Sequence, residues 1–260
     1  MVKSITHDIE GIIAEDANIV TLLHRYRVQK EKILWHSLYA SILAMDLARN
    51  VRSLGCSMQE IGGAALLHDI GLLTEPGALD IVDFEPNAAF LDHVNRGVGL
   101  AREIKVPDVV VEMIAQHHRR LDDPVPEPEP FPIHCQIVAI ANLFEHAVID
   151  LSVESRDGSV VRNDMSAVFK QYRKAFDDDL LKRMISLIGF YPVGSMVELN
   201  NRAICEVIRQ NEDMPLRPVV KMIMDGFGNH PEVTRIIDLK QARVISIIRT
   251  IAAVARPPST

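Results

Sequence analysis

Cysteine is scarce and scattered: Cys56, Cys135 and Cys205 are the only three in 260 residues. Three distant thiols cannot all pair and form no CxxC motif. That excludes a disulfide framework and fits a reducing compartment. No apolar run reaches the ~20 residues needed to cross a bilayer, so no membrane partner is expected. The N-terminus, MVKSITHDIEGIIAED, has acids where a signal peptide would carry its apolar stretch, and the chain reads as cytoplasmic. Basic runs are missing as well. With a formal charge of −7 and no Lys/Arg stripe, a nucleic-acid polymer is not an expected partner. Internal repeats and low-complexity tracts are also lacking. A chain of this length can bury roughly 70–75% of its unfolded surface, so it needs no structural zinc to hold a core.

What is present is helical periodicity. Between Ile33 and Val51, Leu34, Leu38, Ile42, Met45 and Ala48 recur at three- and four-residue steps, and Leu54-Gly55 supplies a stop. Ser57-Met-Gln-Glu60 has the form of a capping box and opens an Ala/Leu-rich helix that ends near His68-Asp69-Ile70-Gly71. Further helices are expected over 87–105, from Pro107-Asp108 to His117-His118, over 133–149, 165–176 and 178–188. Between two of them lies PVPEPEPFP, Pro124–Pro132. Proline fixes φ and lacks an N–H, so this segment reads as a semi-rigid polyproline strap, either a surface connection or a docking segment.

After Tyr191-Pro192 the texture changes. Met196–Leu199 and Ala203–Ile208 flank Asn200-Asn201-Arg202 in hairpin fashion, and Val219–Met224 and Val233–Asp238 suit two more strands. The expectation is a mainly α protein: an N-terminal helical segment (1–30), a helical metal-binding domain (31–190), and a small β-rich extension with a final helix (191–260).

Histidine carries the chemistry. His36, His68, His93, His117 and His118 fall on four successive helices, mostly among apolar neighbours, and Asp69 directly follows His68. Any single one could be a core histidine satisfied by a hydrogen bond. A buried His-Asp pair is harder to account for that way, because a buried carboxylate is costly unless it is paired or bound to a cation. Imidazoles around a bridging carboxylate suit iron, manganese or a similar divalent ion, and the lack of nearby cysteine argues against structural zinc. His7, His24, His134, His146 and His230 fit no such pattern and are expected at the surface or in helix packing. Trp35 reads as a core anchor, and Asp177-Asp178-Asp179 as a solvated helix start.

KILWHSLYASILA, AALLHDIGLL, FLDHVNRG, IAQHHRRLDD and QIVAIANLFEHA occur in that order. Together with IGFYPVGSMVELNN and RIIDL in the tail, they make the chain, over roughly residues 30–245, resemble the HD superfamily of metal-dependent phosphohydrolases. The branch is the bacterial HD-GYP one, whose active members hydrolyse cyclic di-GMP. The resemblance implies an HD-domain helical bundle and two divalent ions, iron or manganese. His36, His68, Asp69 and Asn142 would hold one ion, and Asp69, His93, His117 and His118 the other, with Asp69 as bridge and catalytic residue. It also implies cleavage of a phosphodiester by a hydroxide bridging the metals. Expected partners are a small phosphorylated or cyclic-dinucleotide ligand, a signalling protein, and a second copy of the chain in a homodimer.

Four departures qualify this. Asn142 stands where the family has its last aspartate ligand, Leu72 where active members have lysine, and Lys32 where some have a glutamate for a third metal. The GYP loop is replaced by RRLDDPVPEPEPFP. Arg119 and Arg120 could meet a phosphate in place of the lysine, or simply sit at a helix C-terminus where the dipole favours cations. Against the hydrolase stand two alternatives: an impaired signalling module that binds metal, nucleotide or a partner without turnover, and a structural domain with a vacant pocket.

Overall fold

A computed structural model describes residues 2–15, 32–49, 51–74, 88–124, 130–150, 153–154, 160–161, 165–211 and 213–251. The chain divides into two compact units, one of Met1–His146 with Tyr172–Leu181 and the other of Ala147–Gln171 with Lys182–Thr260.

The first unit is helical. Helix α1 (Val2–Glu15) is followed by α2 (Lys32–Ala48), α3 (Met58–Leu67), a 3-10 segment (Ile70–Thr74), α4 (Ala88–Glu103), α5 (Asp108–Gln116) and α6 (Ile133–Asp150). Helix α2 is buried almost continuously from Ala40 to Ala48, so its apolar stripe widens into a fully enclosed surface. It packs on α3, which also meets α1 and α5. The start of α3 is fixed as expected: the Ser57 side chain accepts from the Glu60 N–H, and the Glu60 carboxylate accepts from the Ser57 N–H, completing the capping box. On α6, Cys135 to Asn142 are all buried. The strap's centre, 125–129, lies outside the described residues, as does His24; Pro124, Pro130 and Pro132 are non-helical.

The 3-10 segment is pressed against α4. A Cβ on Gly71 would meet the His93 carbonyl oxygen at 2.0 Å and the Gly97 nitrogen at 2.6 Å. Only glycine permits this backbone-on-backbone approach, which brings the end of α3, with His68 and Asp69, against the helix that bears His93.

The remaining elements are a two-stranded antiparallel pair, β1 (Val153–Glu154) with β2 (Val160–Val161), then α7 (Met165–Gln171) and α8 (Asp178–Ile188). The helix expected over 165–176 stops at Gln171 and gives way to turns. Asp177 starts α8, its Oδ1 accepting from the N–H groups of Asp179 and Leu180.

The second unit's sheet holds β3 (Met196–Leu199), β4 (Ile204–Arg209), β5 (Val219–Met224), β6 (Ile236–Asp238) and β7 (Ile247–Ile251), in the order β6-β5-β4-β3-β7 with antiparallel pairing. The expected hairpin is β3–β4, with Val197 opposite Cys205 and Arg202 at φ 65° in its turn. Val197, Leu199, Cys205, Val207 and Val220 form its core. Among the described residues the tail shows no final helix: 247–251 are an edge strand, in which the β-branched stretch Ile-Ile-Arg-Thr-Ile finds a ladder partner in β3, and Arg249 pairs with Glu198. Residues 252–260 lie outside the described residues.

Candidate metal centre

Helix ends place the histidines. His68 is the C-cap of α3 and His117 that of α5. His36 projects from α2 and His93 from α4, and all four are buried, at 0–1% exposure, around Asp69 at 3%. The Asp69 carboxylate divides between them. Its Oδ2 lies 3.4 Å from His36 Nε2 and 3.2 Å from His68 Nε2. Its Oδ1 lies 3.2 Å from His93 Nε2 and 3.5 Å from His117 Nε2. His118 Nε2 approaches His93 Nε2 at 3.3 Å, and His118 is the member that solvent reaches.

The tautomers follow from the outer ring nitrogens. His68 Nδ1–H donates to the Ala65 carbonyl at 2.7 Å and His117 Nδ1–H to the Ile114 carbonyl at 2.7 Å, while His36 Nδ1–H donates to Glu145. A neutral imidazole has one N–H, so all three turn an Nε2 lone pair inward. Yet the Nε2 atoms of His36 and His68 are 2.9 Å apart, and those of His93 and His117 3.2 Å. For His36 and His68, whose Nδ1–H groups both point outward, lone pairs facing one another at that distance need a cation between them. Such outer hydrogen bonds commonly orient metal-ligating histidines.

Without metal, a proton on His36 can fill that place. Burial alone would lower the His36 pKa, but the Glu145 charge and hydrogen bonds to Asp69 and Glu145 outweigh it and push it up to about 10. Burial would raise Asp69, yet the His68 charge and hydrogen bonds from His117, His36 and His68 hold it well below the usual carboxylate range. Burial lowers His117; burial and then the His117 charge lower His118.

The donor set fits a divalent cation. Asp69 with His93, His117 and His118, and Asp69 with His36 and His68, are each mutually close enough to hold an ion. Asn142 adds a second sign: it is 3% exposed and its Oδ1 has no hydrogen-bond partner among the described residues, as a neutral oxygen reserved for a metal would be.

Two residues outside the expected set join it. Glu145 is 3% exposed and accepts from His36. His146, expected at the surface or in packing, lies with its ring centroid 4.3 Å from that of His36; burial and then the His36 charge lower its pKa to about 2. Both were detectable in the sequence, since Asn142, Glu145 and His146 stand at i, i+3 and i+4 and share one helix face. Leu72 is 2% exposed. Arg119 donates to Gln116 Oε1 and to the Pro130 carbonyl and lies over Phe131; Arg120 lies over Tyr172. A phosphate would have to compete with these contacts. His7 and His230 are exposed and Trp35 is half-buried.

Comparison with known proteins places this geometry. Residues 33–146 match the family model of the HD domain, and residues 196–255 that of the KOW domain associated with the HD domain. A cyclic di-GMP phosphodiesterase of Pseudomonas aeruginosa, PA4108, is 25% identical over 252 residues, covering 92% of this chain. The chain spans 59% of that relative's length. The crystal structure of the L. monocytogenes phosphodiesterase PgpH HD domain matches with a TM-score of 0.43 at 16% identity, covering 64% of this chain and 94% of that one. Among the described residues no helix is long and apolar enough to cross a membrane. From the family match over residues 33–146 and the histidine–aspartate cluster inside it, this part of the chain is an HD domain.

Proposed function

We propose that this chain is a metal-dependent phosphohydrolase of the HD-GYP-like type, cleaving a phosphodiester bond in a cyclic dinucleotide such as cyclic di-GMP. The observation that carries the reading is the split carboxylate of Asp69, with one oxygen toward His36 and His68 and the other toward His93 and His117. Such a bridge suits two ions, iron or manganese, on an imidazole–carboxylate donor set. His36, His68, Asp69 and Asn142 would hold one, and Asp69, His93, His117 and His118 the other. When bound, a metal pair supplies an activated water at neutral pH and charge neutralisation at the phosphoryl oxygens.

The chain's own groups prepare this. The Ala65, Ile114 and Glu145 acceptors hold His68, His117 and His36 with Nε2 inward. Burial keeps bulk water from the donors, and the Nε2 proton of His36, which faces Asp69, must leave as metal enters while its Nδ1–H stays on Glu145. His118, which solvent reaches, forms the rim on which a substrate would arrive. The substrate class is that of the Pseudomonas relative, a cyclic di-GMP phosphodiesterase.

A second reading, an impaired module that binds without turnover, is favoured by Asn142 and by a buried Leu72 in place of lysine. The deciding experiment assays anaerobically metal-loaded protein against cyclic di-GMP, the linear dinucleotide and a generic phosphodiester. Turnover that Asp69→Ala abolishes along with metal content is expected. Bound metal with no turnover on any of the three would transfer the assignment to the second reading.

A further inference from the structure

The histidine centre is not the only place in the helical unit where metal-ligating side chains converge. Glu112 on α5 and His134 and Cys135 at the start of α6 each offer one donor atom, all within 4.8 Å of one another. Glu112 Oε2 lies 3.2 Å from His134 Nε2. The other ring nitrogen, Nδ1, faces the Leu54 carbonyl oxygen at 3.1 Å. With one N–H in a neutral imidazole, donation to Leu54 leaves the Nε2 lone pair aimed at a carboxylate. Either a second proton or a metal ion must stand between them. The Cys135 thiol beside this pair is 0% exposed, whereas the Glu112 side chain is 43% exposed and that of His134 14%, so an ion has a way in.

We propose that Glu112, His134 and Cys135 form a second divalent-cation site of the zinc class, separate from the Asp69 centre. The chemistry is that of tetrahedral N/S/O coordination. Metal–nitrogen and metal–sulfur distances of about 2.0–2.3 Å put neighbouring donors roughly 3.3–3.7 Å apart, and the His134–Glu112 separation of 3.2 Å lies just short of that range. The Leu54 carbonyl plays the part of the acceptor that fixes a ligating imidazole. The fourth position falls to water. Binding would deprotonate Cys135 and release its proton to solvent.

An ion here would tie together the segment leading into α3, the helix α5 that ends at His117, and the helix α6 that carries Asn142 and Glu145. It would brace the elements that build the histidine centre. This inference does not depend on the hydrolase reading.

The test uses the full chain under reducing conditions, with Co²⁺ as a spectroscopic probe and Zn²⁺ for stoichiometry. The Asp69 centre contains no sulfur, so a near-ultraviolet thiolate-to-cobalt charge-transfer band reports the new site alone. The band is expected in the wild type and in Asp69→Ala. It should be lost in Cys135→Ser and weakened in His134→Gln, with zinc content falling by about one equivalent per chain. Circular dichroism shows whether each variant is folded; if Cys135→Ser is not, Glu112→Gln gives the same reading without touching the buried thiol. A wild type that shows no thiolate band, or a band that survives in folded Cys135→Ser, would overturn the site and leave His134 and Glu112 as an ion pair closed by a proton.

Discussion

At Asp69 a buried carboxylate faces four imidazoles, and its depressed pKa shows that attraction and hydrogen bonding outweigh desolvation there. The same physics sets the expected behaviour of its neighbours. Asn142→Asp would add a buried acid one helical turn from Glu145. Without metal that is like-charge crowding in a buried site, so the chelated variant should melt below wild type. With Mn²⁺ or Fe²⁺ the new anion becomes a ligand, and affinity should tighten by about tenfold or more, measured by metal titration. If both forms shift the same way, Asn142 is not at a metal. Leu72→Lys tests the other departure. It would place an ammonium where the leucine is 2% exposed, and a loss of about 2–4 kcal/mol in denaturant unfolding is expected.

At the scale of elements, the centre depends on one crossing. The 3-10 segment after Asp69 lies against α4 because Gly71 has no Cβ to collide with the His93 carbonyl. Gly71→Ala must push backbone from backbone, which no rotamer change relieves. A destabilisation of at least about 2 kcal/mol is expected, together with weakened metal binding because His93 moves from Asp69 Oδ1. Thermal denaturation and metal titration on one preparation check both. A variant with wild-type stability would mean that the segment can shift freely and that the crossing does not set the site.

For the molecule as a whole, the buried titratable groups predict the pH profile of metal-free protein. His36 has a raised folded pKa, so its contribution is complete below its unfolded value of 6.5 and is lost as pH climbs toward about 10. His117 and His146 have lowered pKa values. Below 6.5 the unfolded chain takes protons that they refuse, and stability falls with pH. Chelated protein should therefore melt highest near pH 6.5 and decline on both sides. Added divalent metal should raise the melting temperature most above that pH, where proton competition at His36 weakens. A chelated protein whose melting temperature rises steadily from pH 6.5 to 9 would contradict the His36 assignment.

The amino-acid order alone determined the helical periodicity, the Ser57–Glu60 capping box, the β3–β4 hairpin and the set of histidines around Asp69. Each rests on local spacing or on residue types whose burial demands a partner. The closing strand was not legible, because Ile247–Ile251 has no intrinsic reason to be extended until β3 offers a ladder edge. Glu145 and His146 escaped for a related reason. Their helical spacing from Asn142 was visible, but only tertiary packing brings α6 against His36 and turns an ordinary Glu-His pair into its acceptor and ring neighbour. The cluster of Glu112, His134 and Cys135 is the extreme case. Its members come from two helices 22 residues apart at the His134–Glu112 contact, with no motif between them, and proximity in space is the whole of their signal.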